Sequence, residues 1–538
     1  MLSEQTLAHN LAALERAQGM RPGLSGLDAA TTRVAEDPAS GVRIDIRRAD
    51  GSWTPLDDAA VTSQLADTLR DARQAIVIGP GLGYLLDAME TAGATTKVLA
   101  IEPDPGLAVL FLARRDWQPW LNAGRLRLLT GPDYQGAVTA ARFLDAMVPT
   151  VVCINPIVEA HRPEAAAGAR RVADIVQANA ESNAIARRNF AGRYLLQTLT
   201  NLPTVAREGD AAALDGLFAG TPAVVVGAGP SLDDNLPALA ACQDRAVIIA
   251  ADTTLRPLLA GGVRPHLVVA VDPSELNARH LAGVEHLDGI AFAAEGSLHP
   301  TAYEGFRGRT FVFKVSNHEP WSWLSESGID RGTVRAWGSV VTSAFDLALR
   351  MGCNPIVFAG LDLAYTGMRP YCRNTIYDAL WQSYVDAGCT WQQLMDDYFS
   401  RQPDVRRTDV HGAEVRTAPQ LVSFRDWLVE QMAAQPARRF VNATGGGILR
   451  GKGIEQSTLA AVLGDYRCVA GVRERLQQAH AASSGRNARL EKVLRRLATG
   501  PAAAAGSPLI RRWVDFTAGT VDPVQLEQHV RALAVQPQ

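Results

Sequence analysis

The chain has 538 residues, and at roughly 100 to 200 residues per domain this length predicts about three or four domains. A composition of 47% hydrophobic and 20% charged residues is typical of globular proteins and excludes a largely disordered chain. The 53 Lys and Arg residues against 56 Asp and Glu residues give a net charge of -3. The chain therefore lacks the overall positive charge that would indicate a nucleic-acid partner.

The N-terminal segment MLSEQTLAHNLAALERAQ has helical apolar spacing and lacks the basic-then-apolar order of a signal peptide. No run of the sequence approaches the roughly 18 consecutive apolar residues that span a membrane. The six cysteines are scattered, with neither a CxxC pair nor a Cys/His cluster at zinc spacing. We therefore expect a cytoplasmic protein with reduced cysteines, without a membrane span and without a structural metal.

The first glycine-rich segment, AIVIGPGLG at residues 75–83, has the order strand, turn, helix, and the next apolar strand, KVLAIE, ends on Glu102. Gly79, Gly81 and Gly83 allow a tight turn and the close approach of a ligand. An acidic residue at the end of the next strand is placed to accept ribose hydroxyls. The segment suits S-adenosylmethionine or a dinucleotide; the alternative is a Rossmann-like scaffold that keeps the turn without a ligand.

A second glycine-rich segment, PAVVVGAGPSL at residues 222–232, is followed by the apolar runs AVIIAAD, HLVVAVD, TFVFKV and NPIVFAGLD. Runs that are apolar on both faces and alternate with helical patterns predict parallel strands in a doubly wound sheet. The predicted fold class is α/β, with an N-terminal Rossmann-like domain, a central doubly wound Rossmann-like domain and a C-terminal α-helical region.

The predicted domains are an N-terminal domain at residues 1–185, a helical connection at 186–214, a central domain at 215–465 and a helical domain at 466–538. From residue 467 to residue 512 the last of these holds ten Lys or Arg and two Glu, a local formal charge of +8. This basic segment is either a surface for a protein partner or a solvated face.

The second turn carries a candidate binding site. Gly227 and Gly229 leave room for a ligand, Pro230 suits the first helical position, and Ser231 begins the helix. The Ser231 hydroxyl and the backbone N–H groups are placed to meet a phosphate or nucleotide at the positive end of the helix dipole. Because the turn lacks the Lys-Ser/Thr of a P-loop, ATP hydrolysis is not expected.

Three acidic residues, Asp252, Asp272 and Asp362, close successive apolar strands. The carboxyl ends of parallel strands share one edge, where open α/β sheets bind ligands, so these side chains should outline a crevice. The alternative for each is an N-cap of the following helix.

Hydroxyl groups should reach the same edge. The small residues Ser339, Thr342 and Ser343 begin a predicted helix and are further anion or ribose contacts. Tyr365 and Tyr371 follow on a loop rich in Gly and Pro, and their phenols can donate hydrogen bonds to phosphate oxygens.

At this point the sequence resembles a family. The segments GAGPSL, IIAADTTLRPLL, GVRPHLVVAVDP, GSVVTSAFDLALRMGCNPIVFAGLDLAYTG and VNATGGGILRG resemble the central domain of motility accessory factors (Maf), the bacterial flagellin glycosyltransferases. The resemblance covers roughly residues 215 to 455, and the layout with an N-terminal Rossmann-like domain and a helical C-terminal part is also similar. A related domain occurs in archaeal 6-hydroxymethylpterin diphosphokinases, the MptE-like domain.

The same motifs are similar to the small bacterial sialyltransferases that use CMP-sialic acid. In those enzymes a GPSL turn contacts the nucleotide and two tyrosines six residues apart contact the phosphate, and Tyr365 and Tyr371 keep that spacing. Ala228 and Asp252 stand where that family has amide side chains. Maf members commonly read Thr-Glu-Gly-Gly near the end of this domain, whereas Thr444 is followed here by Gly445, so no Glu role carries over.

The resemblance implies transfer of a nonulosonic acid, of the pseudaminic or legionaminic acid type, from a CMP-activated donor to Ser or Thr of flagellin. Tyr365, Tyr371, Ser231 and the turn amides would stabilise the departing phosphate. His411 is the candidate base that deprotonates the acceptor hydroxyl; the alternative is a loop histidine without function. His318 is the next candidate, with Glu319 as its orienting partner. The scheme requires no cofactor and no metal.

Two other functions stay open. The first is ATP-dependent pyrophosphoryl transfer to a pterin, with Mg²⁺ on Asp252, Asp272 and Asp362. The second is a non-catalytic flagellin chaperone or assembly factor, in which both glycine-rich turns have lost their ligands.

Overall fold

The computed structural model describes residues 2–18, 24–35, 42–131, 134, 136–316, 318–485 and 487–533. The chain divides into two compact units, Met1–Ala186 and Arg187–Gln538. The four domains expected from the sequence divide the chain more finely, and their boundaries stay a prediction. None of the helices in the described ranges is long and apolar enough to cross a membrane.

The first unit holds two small sheets. Its strands are β1 (Thr32–Ala35), β2 (Arg43–Arg47), β3 (Trp53–Pro55), β4 (Gln74–Ile78), β5 (Lys97–Glu102), β6 (Leu126–Thr130) and β7 (Thr150–Ile154). The first three form an antiparallel sheet, and the other four form a parallel sheet in the order β6-β5-β4-β7. Gln74 of β4 stands opposite Lys97 on one side and Thr150 on the other.

The helices of this unit are α1 (Glu4–Gln18), α2 (Ala59–Leu69), α3 (Tyr84–Thr91), α4 (Pro105–Arg114), α5 (Gln118–Asn122), α6 (Ala137–Ala140) and α7 (Pro156–His161). A long helix, α8 (Pro163–Val205), runs on into the second unit. The predicted strands AIVIG and KVLAIE are β4 and β5, and every residue of β4 is buried. A strand buried on both faces needs apolar residues throughout, which explains the continuous apolar run.

The second unit is built on a sheet of nine parallel strands. These are β8 (Gly209–Asp210), β9 (Ala223–Val226), β10 (Val247–Ala251), β11 (Leu267–Ala270), β12 (Ala291–Glu295), β13 (Thr310–Phe313), β14 (Ile356–Ala359), β17 (Phe440–Asn442) and β18 (Ile454–Gln456). A separate antiparallel hairpin consists of β15 (Val405–Thr408) and β16 (Glu414–Thr417).

The strand order of the large sheet is β18-β17-β14-β9-β10-β11-β12-β13-β8. From β9 the chain proceeds strand by strand to β13, and it then returns to the other side of β9 with β14, β17 and β18. This reversal makes the sheet doubly wound and places a topological switch point between β9 and β14, where ligands bind in such sheets. The predicted fold class is thereby confirmed, although β12 (AFAAE) was not predicted.

The helices of the second unit are α9 (Leu232–Cys242), α10 (Leu255–Ala260), α11 (Glu275–Ala278), α12 (Trp321–Glu326), α13 (Val340–Arg350), α14 (Ile376–Asp386), α15 (Trp391–Ser400), α16 (Pro419–Ala433), α17 (Leu459–Leu463), α18 (Val472–Ser483), α19 (Ala488–Thr499), α20 (Pro508–Phe516) and α21 (Pro523–Ala532). Of these, α13 packs against β9, β10 and β11.

The C-terminal helices α19 to α21 form part of the core of the second unit. Leu490, Ile510 and Trp513 are fully buried, and they pack in one cluster with residues from the end of α8 and with Val312 of β13. Several charges of the basic segment are used internally: Arg475 donates to the carbonyl of Leu217, and Arg512 pairs with Glu319 and Glu326. A flagellin-binding role for the remaining basic side chains stays a prediction.

Candidate functional site

The turn after β9 is held against the end of β14. The N–H groups of Gly227 and Gly229 donate to the carbonyls of Ala359 and Gly360 at 2.9 and 2.8 Å. Helix α9 begins at Leu232, so Pro230 precedes the helix and the expectation that it occupies the first helical position is wrong. A tight turn precedes the helix instead, in which the N–H of Leu232 donates to the carbonyl of Gly229 at 3.0 Å.

Ser231 and Asp362 are bonded to each other beneath this turn. The Ser231 hydroxyl donates to Asp362 Oδ1 at 2.6 Å, and the Ser231 N–H donates to Oδ2 at 3.2 Å. Asp362 has no exposed surface, and burial raises the pKa of its carboxyl. Since a hydroxyl has one proton to donate, Ser231 in this arrangement does not donate to a phosphate as the sequence suggested. The pair instead anchors the turn.

The backbone approaches Ser231 and Asp362 so closely that only glycine fits at several neighbouring positions. A Cβ on Gly229 would lie 2.1 Å from Asp362 Oδ2, and one on Gly446 would lie 2.9 Å from Ser231 Oγ. Gly447, with a φ of +76°, packs onto the backbone of Asp362. The glycine run of residues 445–447 therefore lies directly against the Ser231 and Asp362 pair.

One N–H group of the turn is left for a ligand. Those of Gly227, Gly229 and Ser231 have protein acceptors, whereas that of Ala228 has none among the described residues. It stands at the start of the turn that leads into α9, where the helix dipole favours an anion. Of the turn amides that were expected to bind an anion, the Ala228 N–H is therefore the candidate that remains.

The loop that carries Tyr371 is bonded to the same turn. The N–H of Cys372 donates to the carbonyl of Ala228 at 3.0 Å, and the N–H of Arg373 donates to Asp233 Oδ1 at 3.0 Å. These two bonds hold Tyr371 beside the turn and the start of α9.

The Tyr371 ring stacks on Tyr377, with centroids 4.6 Å apart and planes 16° apart, and Trp381 continues the group at 6.4 Å. Burial raises the pKa of the Tyr371 phenol, with neighbouring phenols and Asp252 as further contributors, so its hydroxyl is a neutral hydrogen-bond donor. Tyr371 is half-buried, and its predicted role in binding phosphate stays a prediction.

Tyr365 has a different environment from Tyr371. It is 6% exposed, and its ring lies 4.9 Å from Phe399 in a small apolar cluster with Met395 and Ala418. Burial raises the pKa of this phenol also. The Tyr365 ring thus packs against Tyr398 and Phe399 of α15 and is less exposed than that of Tyr371, and its predicted role in binding phosphate stays a prediction.

His411 contacts the glycine run of residues 445–447. The hairpin between β15 and β16 carries it, and its Nε2 lies 2.9 Å from the carbonyl of Gly445. Because a carbonyl only accepts, Nε2 carries the proton and Nδ1 keeps a lone pair in the neutral ring. The N–H of Val410 also donates to the carbonyl of Gly447, at 2.9 Å. An exposed imidazole that is fixed in this tautomer is equipped to accept a proton at Nδ1.

Asp252 and Asp272 follow the neighbouring strands β10 and β11. Asp252 is 1% exposed, and burial raises the pKa of its carboxyl to about 7, while hydrogen bonds from Thr253 lower it and Asp272 adds to the rise. Asp272 is half-buried and accepts from the N–H of Ser274 at 2.7 Å. The two carboxyl groups interact electrostatically, whereas Asp362 accepts hydrogen bonds from Ser231.

The start of α13 reaches the same edge, because this helix precedes β14 and runs antiparallel to the strands. Thr342 is fully buried, and its hydroxyl donates to the carbonyl of Ser339 at 2.5 Å and accepts from Trp337 at 2.8 Å. Ser343 is also buried and donates to the carbonyl of Arg335. Ser339 is half-buried at the N-cap and makes no capping bond with its side chain, so it is the open hydroxyl of the three.

His318 lies further along the edge. Its Nδ1 lies 3.0 Å from the carbonyl of Glu319, and its ring is stacked between Tyr194 and Phe516 at 5.2 and 6.0 Å. The expectation that the Glu319 carboxylate orients His318 is wrong, because that carboxylate accepts from Arg512 and Trp513.

A different carboxyl group, Glu295 at the end of β12, interacts electrostatically with His318. Sequence reasoning missed both Glu295 and Tyr377. The signal for Glu295 was present, since AFAAE is another apolar run that closes on an acidic residue, as AVIIAAD does. Tyr377 gave no such signal, because its stacking on Tyr371 depends on the fold of the loop between them. Within the described ranges, no group of three or more His, Cys, Asp or Glu side chains is arranged to hold a metal ion.

The second unit contains a segment that matches a known protein family. Residues 196–368 match the family model described as 6-hydroxymethylpterin diphosphokinase MptE-like. An uncharacterized protein of Treponema pallidum (strain Nichols) is 27% identical over 169 residues, which are 29% of this chain and 54% of that protein. The matched region thus spans about half of the relative's length.

A solved structure, that of the MAf glycosyltransferase from Magnetospirillum magneticum AMB-1, is similar with a TM-score of 0.49 and 17% sequence identity, covering 99% of this chain and 91% of that chain. The matched family model begins ahead of β8 and ends beyond β14, so it includes the GAGPSL turn, Asp252, Asp272 and Asp362. The predicted MptE-like domain is confirmed over this range, and residues 196–368 are an MptE-like segment.

Proposed function

We propose that the chain is a glycosyltransferase that transfers a nonulosonic acid from a CMP-activated donor to Ser or Thr hydroxyls of flagellin. The observation that carries this proposal is the convergence of three distant segments on one turn. Cys372 bonds Ala228, Asp362 bonds Ser231, and His411 bonds Gly445 in the glycine run against that pair. These are the segments by which the sequence resembles Maf and the CMP-sialic acid sialyltransferases.

In this proposal the donor phosphate lies at the Ala228 N–H, at the positive end of α9. The Tyr371 phenol, held beside the turn, donates a second hydrogen bond to the phosphate oxygens. Donors placed where negative charge grows on the departing CMP stabilise the transition state more than the ground state. Tyr371 donates throughout the neutral pH range because burial raises its pKa.

The acceptor hydroxyl approaches from the side of the β15–β16 hairpin. His411 takes its proton at Nδ1, since Nε2 is committed to the Gly445 carbonyl. The hydroxyl oxygen then forms the new bond to the anomeric carbon as the bond from that carbon to the CMP phosphate oxygen breaks. His411 and Tyr371 thus act on the attacking and the leaving oxygen.

Asp252 and Asp272 face the region that the sugar would occupy. A buried carboxyl with a pKa of about 7 is partly protonated at neutral pH, so Asp252 can donate to sugar oxygens and repels an anionic sugar less than a full charge would. This property reconciles an acidic edge with a donor that carries its own carboxylate.

The MptE-like match favours a second candidate, ATP-dependent pyrophosphoryl transfer to a pterin. That reaction would place Mg²⁺ on Asp252, Asp272 and Asp362. The residues do not fit a shared three-carboxylate site, because Asp362 accepts two hydrogen bonds from Ser231 beneath the turn. Only Asp252 and Asp272 remain as a pair at the edge.

Ligand-induced thermal stabilisation separates these candidates. CMP is expected to raise the Tm of the wild-type chain and to have a smaller effect on the Tyr371→Phe variant, while Tyr384→Phe, an exposed tyrosine of α14, behaves as wild type. Stabilisation by ATP with Mg²⁺ and none by CMP would instead support the second candidate. Retention of flagellin without a response to either nucleotide would support a non-catalytic assembly factor.

A further inference from the structure

The first unit contains a cavity of about 220 Å³ at the carboxyl end of β5. The cavity lies between the antiparallel sheet, the start of α4 and the helices α7 and α8. Its lining is formed by Ile46, Leu56, Glu102, Pro103, Asp104, Pro105, Leu107, Val158, Arg162 and Ala165. The strand order of the parallel sheet reverses between β4 and β7, and the cavity lies at the same carboxyl edge, where open α/β sheets bind ligands.

Glu102 is the polar group of this cavity that lacks a full set of partners. It is 1% exposed, and its Oε1 accepts from the N–H of Asp104 at 3.0 Å. The N–H of Gly81 is near enough to lower the pKa of the carboxyl, but Oε2 has no partner at hydrogen-bond geometry among the described residues. Leaving a buried carboxyl oxygen without a donor costs free energy, which a ligand hydroxyl would recover. Burial raises the pKa of this carboxyl to about 8, so it can both donate to a hydroxyl and accept from one.

The remaining polar groups of the lining are already paired. Arg162 donates to Asp104 Oδ2 at 2.8 Å, and Asp104 Oδ1 caps α4 by accepting from Gly106. The other walls are aliphatic side chains and prolines. The cavity thus offers one carboxyl group among apolar surfaces, with no free cation in its lining to hold a phosphate.

The adjacent glycine-rich turn is also closed to phosphate. The Leu82 N–H, which would face a phosphate, donates to both carboxyl oxygens of Asp57 at 3.2 and 3.3 Å. A Cβ on Gly81 would lie 2.4 Å from Asp57 Oδ1, so this carboxyl occupies the space directly over the turn. In dinucleotide-binding proteins that space holds the pyrophosphate. A ligand phosphate would have to displace the Asp57 carboxyl from this space and from its hydrogen bonds with the Leu82 N–H.

We propose that the first unit binds a nucleoside in this cavity, with the ribose hydroxyls on Glu102, the base between the aliphatic walls, and no phosphate on the turn of residues 79–83. The ligand class is a nucleoside whose 5′ substituent is neutral or cationic. This proposal is independent of the nucleotide site in the second unit.

The test is isothermal titration calorimetry on the full chain with adenosine, guanosine, cytidine and uridine, followed by the 2′,3′-dideoxy and 5′-diphosphate forms of the nucleoside that binds best. We expect binding of at least one nucleoside, roughly tenfold or more weakening without the 2′ and 3′ hydroxyls, and no gain from the diphosphate. Glu102→Gln should weaken binding similarly. Ala165→Phe, which fills the cavity from the half-buried face of α8, is a second variant that leaves Glu102 intact. Ser63→Ala, at an exposed position of α2, serves as the control.

The proposal is overturned if none of the four nucleosides binds, or if the dideoxy form binds as tightly as the parent. It is also overturned if the diphosphate binds more than tenfold tighter, since the phosphates would then have displaced Asp57 from the turn. Unchanged binding in both Glu102→Gln and Ala165→Phe would place the nucleoside outside this cavity and would also overturn the proposal.

Discussion

The Ser231 hydroxyl donates to Asp362 Oδ1 across 2.6 Å, and this bond joins the turn after β9 to the segment after β14. These two strands flank the switch point of the nine-stranded sheet. The bond therefore joins the two segments between which the candidate site is built, and both residues hold the turn in place.

Replacing Ser231 by alanine should destabilise the protein. The change removes one hydrogen bond and leaves a buried carboxyl oxygen of Asp362 with fewer donors, which costs about 1 to 3 kcal/mol. The measurement is the free energy of unfolding in urea. Ser63→Ala, at an exposed position of α2, is the matched control and should change stability by less than about 0.5 kcal/mol. Equal effects of the two substitutions would contradict the anchoring role.

Gly229→Ala should disrupt the same turn by steric overlap. The new Cβ would lie 2.1 Å from Asp362 Oδ2 and 2.7 Å from the carbonyl of Gly360, and one of these contacts is with backbone that cannot move away cheaply. We expect a lower Tm and loss of CMP-induced stabilisation. A Cβ on Gly506 meets nothing within 4 Å, so Gly506→Ala should leave both quantities unchanged. A Gly229→Ala variant that binds CMP normally would show that the turn tolerates the added methyl.

Asp252 should make stability depend on pH. Burial raises its folded-state pKa from 3.8 to about 7, so the protonated form is favoured in the fold. Its stabilising contribution is complete below about pH 4 and is lost as the pH rises toward 7. Asp252→Asn should therefore raise the Tm relative to wild type more at pH 8 than at pH 5. The exposed Asp465→Asn should show the same small difference at both values, and a flat response of Asp252→Asn would exclude a buried ionisable role.

His411→Ala should reduce the transfer rate without loss of fold. A positioned general base contributes about 10²- to 10⁴-fold, so kcat should fall within that range while the Tm stays near that of wild type. His286, exposed on a loop and with no place at the site, supplies the control variant His286→Ala. Unchanged kcat in His411→Ala would remove this residue from the mechanism.

Arg512→Ala should loosen the C-terminal helices. Arg512 bonds Glu319 Oε1 at 2.6 Å, and Glu319 is 7% exposed, so the change leaves a buried carboxylate with Trp513 as its remaining side-chain donor. We expect a loss of about 1 to 3 kcal/mol in unfolding free energy, against little change for the exposed neighbour Arg511→Ala. If the two variants were equally stable, the Arg512 pair would be a surface contact only.

Several of the parallel strands follow from sequence, because a strand that is buried on both faces demands a continuous apolar run, although β12 was missed. The runs that contain β9, β10, β11 and β14 can therefore be recognised from their residue types alone. The glycine-rich turn and the acidic strand ends can be recognised for a similar reason, since turn chemistry and edge position restrict the residue types.

The hydrogen-bond partners of those residues could not be predicted from the sequence in the same way. Asp362 and Asp252 occur in the same pattern, yet Asp362 accepts from Ser231 at a separation of 131 residues, whereas Asp252 accepts from the adjacent Thr253. Likewise Glu319, adjacent to His318 in sequence, bonds Arg512, 193 residues away. Contacts of this kind depend on how the chain returns to one edge, which local patterns do not determine.

The most direct test of the proposed function is in vitro transfer, in which purified chain, flagellin and CMP-activated pseudaminic or legionaminic acid are incubated together and the flagellin is analysed by intact mass spectrometry. The proposal predicts a mass increase of flagellin by whole nonulosonic acid residues, stoichiometric release of CMP, and loss of both in Tyr371→Phe and His411→Ala. Flagellin of unchanged mass with both donors and a folded wild-type chain would contradict it.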